Sequence, residues 1–430
     1  MKVRIRIDDW VLAGLFVVSF FNRWLILLML AYICYKAISH LEYAIEGLLL
    51  ISFRTILGNS VAVDIAGIQI FKWMVIFILS ILILMHCWGR IVYKFTDVYI
   101  LMFTIYVCMV SLINSTYPIV SIFKCISYSF VFWAILRGIE ATKNYINWLD
   151  KLYQYMTILF LACFISMPFS FAYYSSARWF AGVTNQSNML GVLAGLYIGV
   201  LLTKMLINGP RLGNWFMFTI TVIMVWMSNS RTGMLSIVIS VLIFTLISTI
   251  KYKRYYYLVI IGISLLIIYL SGYGNVLIDG INVFLYKGSS LNHIGTYSTN
   301  DIFSSREGQL ANFLAKIKNN PLIGSGFSVP FTEGIVNWSF KFDLIVEPGN
   351  IFYAVLGDLG IIGTLLWFGL YAGIFKKGFK VEMICLFTAP FTISLGEMVF
   401  FSTNNIAIIL YVMIAIHYAT IIDRNVENVV

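Results

Sequence analysis

Arg231 stands in Trp226-Met227-Ser228-Asn229-Ser230-Arg231-Thr232-Gly233, a brief polar interruption between two long apolar runs. An arginine there costs about 3 kcal/mol on insertion scales if near a membrane centre, and less at the interface. A guanidinium fork matches phosphate oxygens two at a time, and Ser228, Asn229 and Ser230 add donors beside it. The competing reading is an interfacial arginine that snorkels to lipid headgroups. Arg178 carries the same two readings. It opens a stretch in which Gly182 permits a turn. Asn185 and Asn188 in that stretch can cap the apolar run that follows or bond ligand hydroxyls. Arg306 reads as a third phosphate-binding candidate or as a solvated surface charge. Glu347 precedes Pro348, Gly349 and Asn350 at the start of another apolar run. A carboxylate at that rim serves as a general base on a hydroxyl or as an acid favoured by a helix N-terminus.

Other chemistries find little footing. His293 sits in ordinary loop sequence. There is no clustered set of His and carboxylates, and no Asp-x-Asp in the polar connections. Walker and Rossmann patterns are missing from any strand–helix context. The energy of a reaction here has to come from the substrate. The six cysteines (Cys34, Cys87, Cys108, Cys125, Cys163 and Cys385) all lie in apolar runs and read as buried small hydrophobes.

The elements that hold these residues are membrane spans. The chain of 430 residues is 60% hydrophobic and 11% charged, with mean hydropathy +0.90, whereas soluble domains carry about 25% charged residues. Continuous apolar runs of about 20 residues recur throughout, which predicts an all-α polytopic protein and not a β-barrel. The runs fall near 10–21, 24–35, 46–58, 68–88, 96–114, 118–136, 154–174, 188–206, 214–230, 232–249, 255–273, 351–375, 381–400 and 404–422. That gives about 12–14 transmembrane helices. The first two runs, split by Asn22 and Arg23, form either a tight hairpin or one tilted helix. The third contains Arg54 and is a doubtful span. No cleavable signal is evident. Residues 1–430 read as one membrane domain, with a long polar loop at 274–350 inside it.

Alternate connections collect most of the 29 basic residues on one side, Lys36, Lys94, Arg137, Lys151, Lys204, Lys251 and Lys377 among them. The positive-inside rule makes that side cytoplasmic, with both termini there. The net charge of +10 therefore reports orientation and not affinity for nucleic acid. The connections at 114–117, 172–187, 228–231, 274–350 and 402–405 then share the outer face, and the three candidate arginines with them. Within the loop, 306–320 reads as a helix. Leu310, Phe313, Leu314 and Ile317 make an apolar stripe, Ser304 and Glu307 are spaced as a capping box, and Asn320-Pro321 is a stop signal. This amphipathic helix is expected on the membrane surface or packed over the bundle.

The order of these features resembles the O-antigen ligase and Wzy-type O-antigen polymerase superfamily over roughly 170–375. The features are Arg178 with Gly182 and the asparagines, Ser230-Arg231-Thr232-Gly233 between two spans, and the long loop with Arg306 and Asn319-Asn320-Pro321-Leu322-Ile323-Gly324-Ser325-Gly326. Gly349-Asn350 then opens a span carrying Gly357-Asp358-Leu359-Gly360-Ile361-Ile362-Gly363. The resemblance implies metal-independent, cofactor-free glycosyl transfer on the outer face of a bacterial inner membrane. It implies undecaprenyl-pyrophosphate-linked oligosaccharides as donor and acceptor, membrane lipids around the chain and a chain-length regulator protein as a partner. Arg231 and Arg306 would stabilise the pyrophosphate leaving group, and Arg178 would hold phosphate or glycan. Asn185, Asn188, Asn229 and Asn350 would bind substrate, with Glu347 as the base. Ligases of the superfamily commonly place a histidine beside the asparagine that opens the post-loop span; here that place is Gly349. The departure favours a polymerase. A ligase acting on lipid A core or protein and a polysaccharide transporter or flippase are the alternatives.

Overall fold

The computed structural model describes residues 7–65, 68–88, 94–174, 179–259, 262–263, 307–329 and 349–420. The chain is an all-α polytopic membrane protein. Its described α-helices are α1 (Ile7–Val18), α2 (Arg23–Ser39), α3 (Leu41–Ile56), α4 (Gln69–Cys87), α5 (Phe95–Asn114), α6 (Pro118–Thr142) and α7 (Trp148–Ser166). They continue as α8 (Ser187–Asn208), α9 (Leu212–Ser228), α10 (Arg231–Ile250), α11 (Glu307–Asn319), α12 (Ile351–Lys377), α13 (Ile384–Ser394) and α14 (Ala407–Ala419). Six of these, α4, α5, α6, α8, α10 and α12, are long and apolar enough to cross a membrane unaided. A two-stranded antiparallel hairpin, β1 (Tyr173–Tyr174) and β2 (Trp179–Phe180), lies between α7 and α8.

Local chemistry decides where the apolar runs break. The first two runs are separate helices, and the Asn22 side chain caps α2 by accepting from the Trp24 amide. Arg54 is buried at the end of α3. It donates to the carbonyls of Ser19 and Val63 and to the Ser19 hydroxyl, so the helix keeps its charge by meeting carbonyl dipoles. The expected run at 154–174 stops helically at Ser166 and continues into the hairpin. The expected run at 381–400 also ends early. α13 closes at Ser394, and the turn at 395–397 leads away from it.

α8 and α14 form the centre and are buried along most of their length. Gly191, Gly195 and Gly199 give α8 a strip of small residues at four-residue spacing. A Cβ on Gly191 would fall 1.9 Å from the Ser230 hydroxyl, one on Gly195 would meet Ile393 and Ser236, and one on Gly199 would meet Ala389. Small residues let backbones approach in this way, which is how helices associate where lipid removes the hydrophobic drive. The strip sets α8 alongside α10 in parallel, and α13 against both, with Ser236 and Thr392 sharing a hydrogen bond of 2.8 Å.

The helix ends sort into two sets. At one end Arg137 on α6 pairs with Asp97 of α5 and with Glu140, and Lys94 and Lys377 also reach Glu140. Lys36 meets Asp8, Lys151 meets Glu46, Lys204 meets Asp150, and Lys251 meets Glu382 at the same end. The opposite end holds the starts of α8, α10 and α12 and the α11 segment.

Candidate functional site

The connection between α9 and α10 is two residues long, so the end of one helix abuts the start of the other. Asn229 makes the reversal in the left-handed region (φ 53, ψ 37), which asparagine tolerates better than most side chains. Its Oδ1 is buried and accepts no hydrogen bond among the described residues. Ser230 caps α10, its hydroxyl accepting from the Gly233 amide. Arg231 is the first helical residue and is half-buried. The positive end of the helix dipole therefore coincides with a guanidinium, an arrangement suited to an anion.

Two other helix starts come to the same place. The Ser230 side chain packs against Gly191, one turn into α8, and a Cβ on Gly233 would fall 2.5 Å from the Gly191 carbonyl. Asn188 lies in the first turn of α8 and is exposed. On the opposite flank, a Cβ on Gly396 would fall 2.3 Å from the Thr232 hydroxyl. That glycine belongs to the turn after α13, whose Leu395 carbonyl accepts from the Asn350 side chain at 3.2 Å. Asn350 also caps α12, its Oδ1 accepting from the Phe352 amide. The starts of α8, α10 and α12 thus converge on one small region, linked through the 395–397 turn.

Of the residues singled out by sequence, Asn188, Asn229, Arg231 and Asn350 are carried by these adjoining elements. Asn350 is engaged in holding them together, since its carbonyl caps one helix and its amide ties that helix to the turn. Neither Asn185 nor Asn188 caps α8. The cap is Gln186, without a side-chain hydrogen bond. Asn185 instead uses its backbone amide, donating to the Ile56 carbonyl and closing a bridge between α3 and the approach to α8. Arg178, Arg306, Glu347 and His293 lie outside the described residues.

One contact at the site was not visible in the sequence. Thr232 and Gly396 form the close contact between α10 and the turn. Glu397, half-buried in that turn, brings a carboxylate to it. The four-residue glycine spacing of α8 was a signal for the α8–α10 approach. Glu397 is visible in the sequence near the outer end of its apolar run, where it reads as structural. Among the described residues no three His, Cys, Asp or Glu side chains gather as a metal ion would require.

The loop helix forms as expected, over Glu307–Asn319, and packs on α12. Its buried face differs from the expected stripe. Phe313 is buried but Leu314 is 49% exposed, while Lys316 is 1% exposed. The cause is a carboxylate. Lys316 turns inward to Asp358 of α12, with 2.6 Å between Nζ and Oδ1.

A search among curated proteins found no match for the chain. The family model described as O-antigen ligase matches residues 216–368, from α9 through the loop to the middle of α12. The matched stretch contains the α9–α10 turn, α11 and the Asn350 cap, while α8 and the 395–397 turn lie outside it. Over this stretch the chain is similar to that family.

Proposed function

We propose that the protein is a polysaccharide polymerase. It would join undecaprenyl-pyrophosphate-linked oligosaccharide repeat units on the outer face of the bacterial cytoplasmic membrane. One observation carries the reading: the matched stretch supplies Arg231 and Asn229 at the place where three helix starts converge. A departing pyrophosphate is an anion that gains charge in the transition state, and preorganised positive groups aimed at it lower the barrier.

The step is a substitution at the anomeric carbon of the growing chain. The bond from that carbon to the phosphate oxygen breaks, and undecaprenyl pyrophosphate leaves with the bond's electron pair. A terminal sugar hydroxyl of the next lipid-linked unit forms the new glycosidic bond and gives its proton to a carboxylate. Arg231 and Arg306 hold the leaving pyrophosphate, and Arg178 holds phosphate or glycan. Glu347 is the base, with Glu397 a second carboxylate at the described site. Asn229 has a buried acceptor suited to a sugar hydroxyl, and Asn185 and Asn188 are exposed beside the start of α8. The anomeric phosphate ester supplies the driving force, so the reaction needs no nucleotide. The basic end faces the cytoplasm with both termini, and a chain-length regulator is the expected protein partner.

The second reading is a ligase, after the name of the matching family. Gly349 weighs against it, because it takes φ 68, where side-chain-bearing residues are uncommon. Purified protein supplied with a synthetic lipid-linked repeat unit decides. A ladder of multimers with release of undecaprenyl pyrophosphate supports the polymerase. Transfer only when lipid A core or an acceptor protein is added makes it a ligase. An absence of turnover in detergent, with transport restored in sealed vesicles, overturns both.

A further inference from the structure

α12 is a broken helix. At Gly360 the backbone turns to φ 65, ψ −174, which strands the carbonyls before the break and the amides after it. The stretch following α11 satisfies them. Ser325 and Gly326 donate their amides to the Gly357 and Asp358 carbonyls, each at 3.2 Å. The Ile361 amide donates to Pro321 at 2.9 Å and the Ile362 amide to Leu322 at 3.1 Å. The Tyr106 hydroxyl takes the Leu359 carbonyl at 3.0 Å. Backbone meets backbone here. A Cβ on Gly324 would fall 2.4 Å from the Asp358 carbonyl, and one on Gly360 would fall 2.5 Å from the Leu322 carbonyl.

A buried ion pair stands beside this junction. Besides Lys316, Asp358 accepts from the Ser328 amide at 2.8 Å. Lys316 also reaches the Val329 carbonyl, and Lys124 of α6 donates to the Ser328 carbonyl at 2.7 Å. Ser121 and Asn114, at facing ends of α6 and α5, bond the Phe327 amide and the Gly324 carbonyl. Buried pairs contribute little net stability over apolar replacements of the same shape, and their better-attested use is to fix one register.

We propose that Lys316 and Asp358 are positioning residues. Their pair, set at the break in α12, locks α11 and the 320–329 stretch onto the span in a single register. The inference rests on the polymerase reading for its consequence: transfer depends on where this part of the loop is held. Arg306 immediately precedes α11 in the sequence.

The test replaces the ion pair by a covalent one. A Cβ on Gly357 would lie 3.4 Å from the Lys316 Cβ, close to the spacing of about 3.8 Å in disulfides. In full-length protein with the six native cysteines replaced, one variant carries Lys316→Met and Asp358→Asn. A second carries Lys316→Cys, Gly357→Cys and Asp358→Asn. The first is expected to fold and to lose turnover by about 100-fold, the cost of a reacting group displaced by about 1 Å. The second is expected to recover most of that rate when oxidised and to lose it again on reduction. A first variant at the parent's rate, or a second indifferent to its redox state, overturns the proposal. If the cysteine-free parent makes no polymer while the native protein does, the native-cysteine background replaces it. If neither makes polymer, the polymerase reading fails by itself. Limited proteolysis then decides the inference: cleavage within 307–329 on reduction but not on oxidation supports it, and equal cleavage overturns it.

Discussion

The two ends of the helix bundle use charge in opposite ways. At the basic end lysines and arginines meet carboxylates of other helices, and Arg137 sits 5% exposed between Asp97 and Glu140. These charges are consumed in tying α5, α6 and α12 together. At the other end what gathers is the positive ends of α8, α10 and α12, with Arg231 on the first turn of one of them. Ser230 and Asn350 cap the starts of α10 and α12 with their own side chains, and the positive ends of these helices still favour an anion nearby. The first end ties helices together through ion pairs, and the second brings helix starts together.

Breaking the two ends should give unlike phenotypes. Arg137→Ala leaves the buried Asp97 carboxylate without its ion-pair partner and should cost about 3–5 kcal/mol of stability. A lowered melting temperature and reduced membrane yield would report it, with turnover per folded molecule near that of wild type. A collapse of turnover in protein that melts normally would erase the distinction. Arg231→Ala should act the other way. Its transfer rate should fall by about 10²–10³-fold, as when a transition-state donor is removed, with little change in melting. Arg231→Lys should recover only part of this, because an ammonium lacks the two-pronged fit.

Gly191→Val forces the α8 and α10 starts apart and should cost about 1–3 kcal/mol by overpacking. It should lower turnover more than melting temperature, since the displaced turn carries Arg231; equal loss of both would make the glycine strip purely structural. Asn350→Ala removes a helix cap worth about 1 kcal/mol together with the bond to Leu395. A melting shift with a modest rise in KM is the expected outcome, and a complete loss of turnover would promote Asn350 to direct substrate contact.

How much of this was legible depended on the range over which each feature is specified. The spans were visible because apolar runs are local, and so was α11, whose stop at Asn320-Pro321 is written in adjacent residues. The inward turn of Lys316 was not, because its partner Asp358 lies 42 residues away in another element. Local pattern reasoning put Leu314 in the apolar stripe and left Lys316 out of it. The break in α12 was hidden for a related reason. Gly360 has the appearance of an ordinary glycine in a span until Gly324 is placed against it. At the site, Arg231 stood out as a charge among apolar neighbours, while the contact of Gly396 with Thr232 did not, since only the fold brings the two elements together.

The central claim is that the end bearing the loop and the helix starts carries out glycan transfer. The direct measurement is the glycan ladder of a deletion strain complemented with wild type or with Arg306→Ala. Deletion should leave a single repeat unit on the acceptor, wild type should restore the ladder, and Arg306→Ala at equal protein level should not. A full ladder from Arg306→Ala, or long chains stranded on the carrier lipid after deletion, would contradict it.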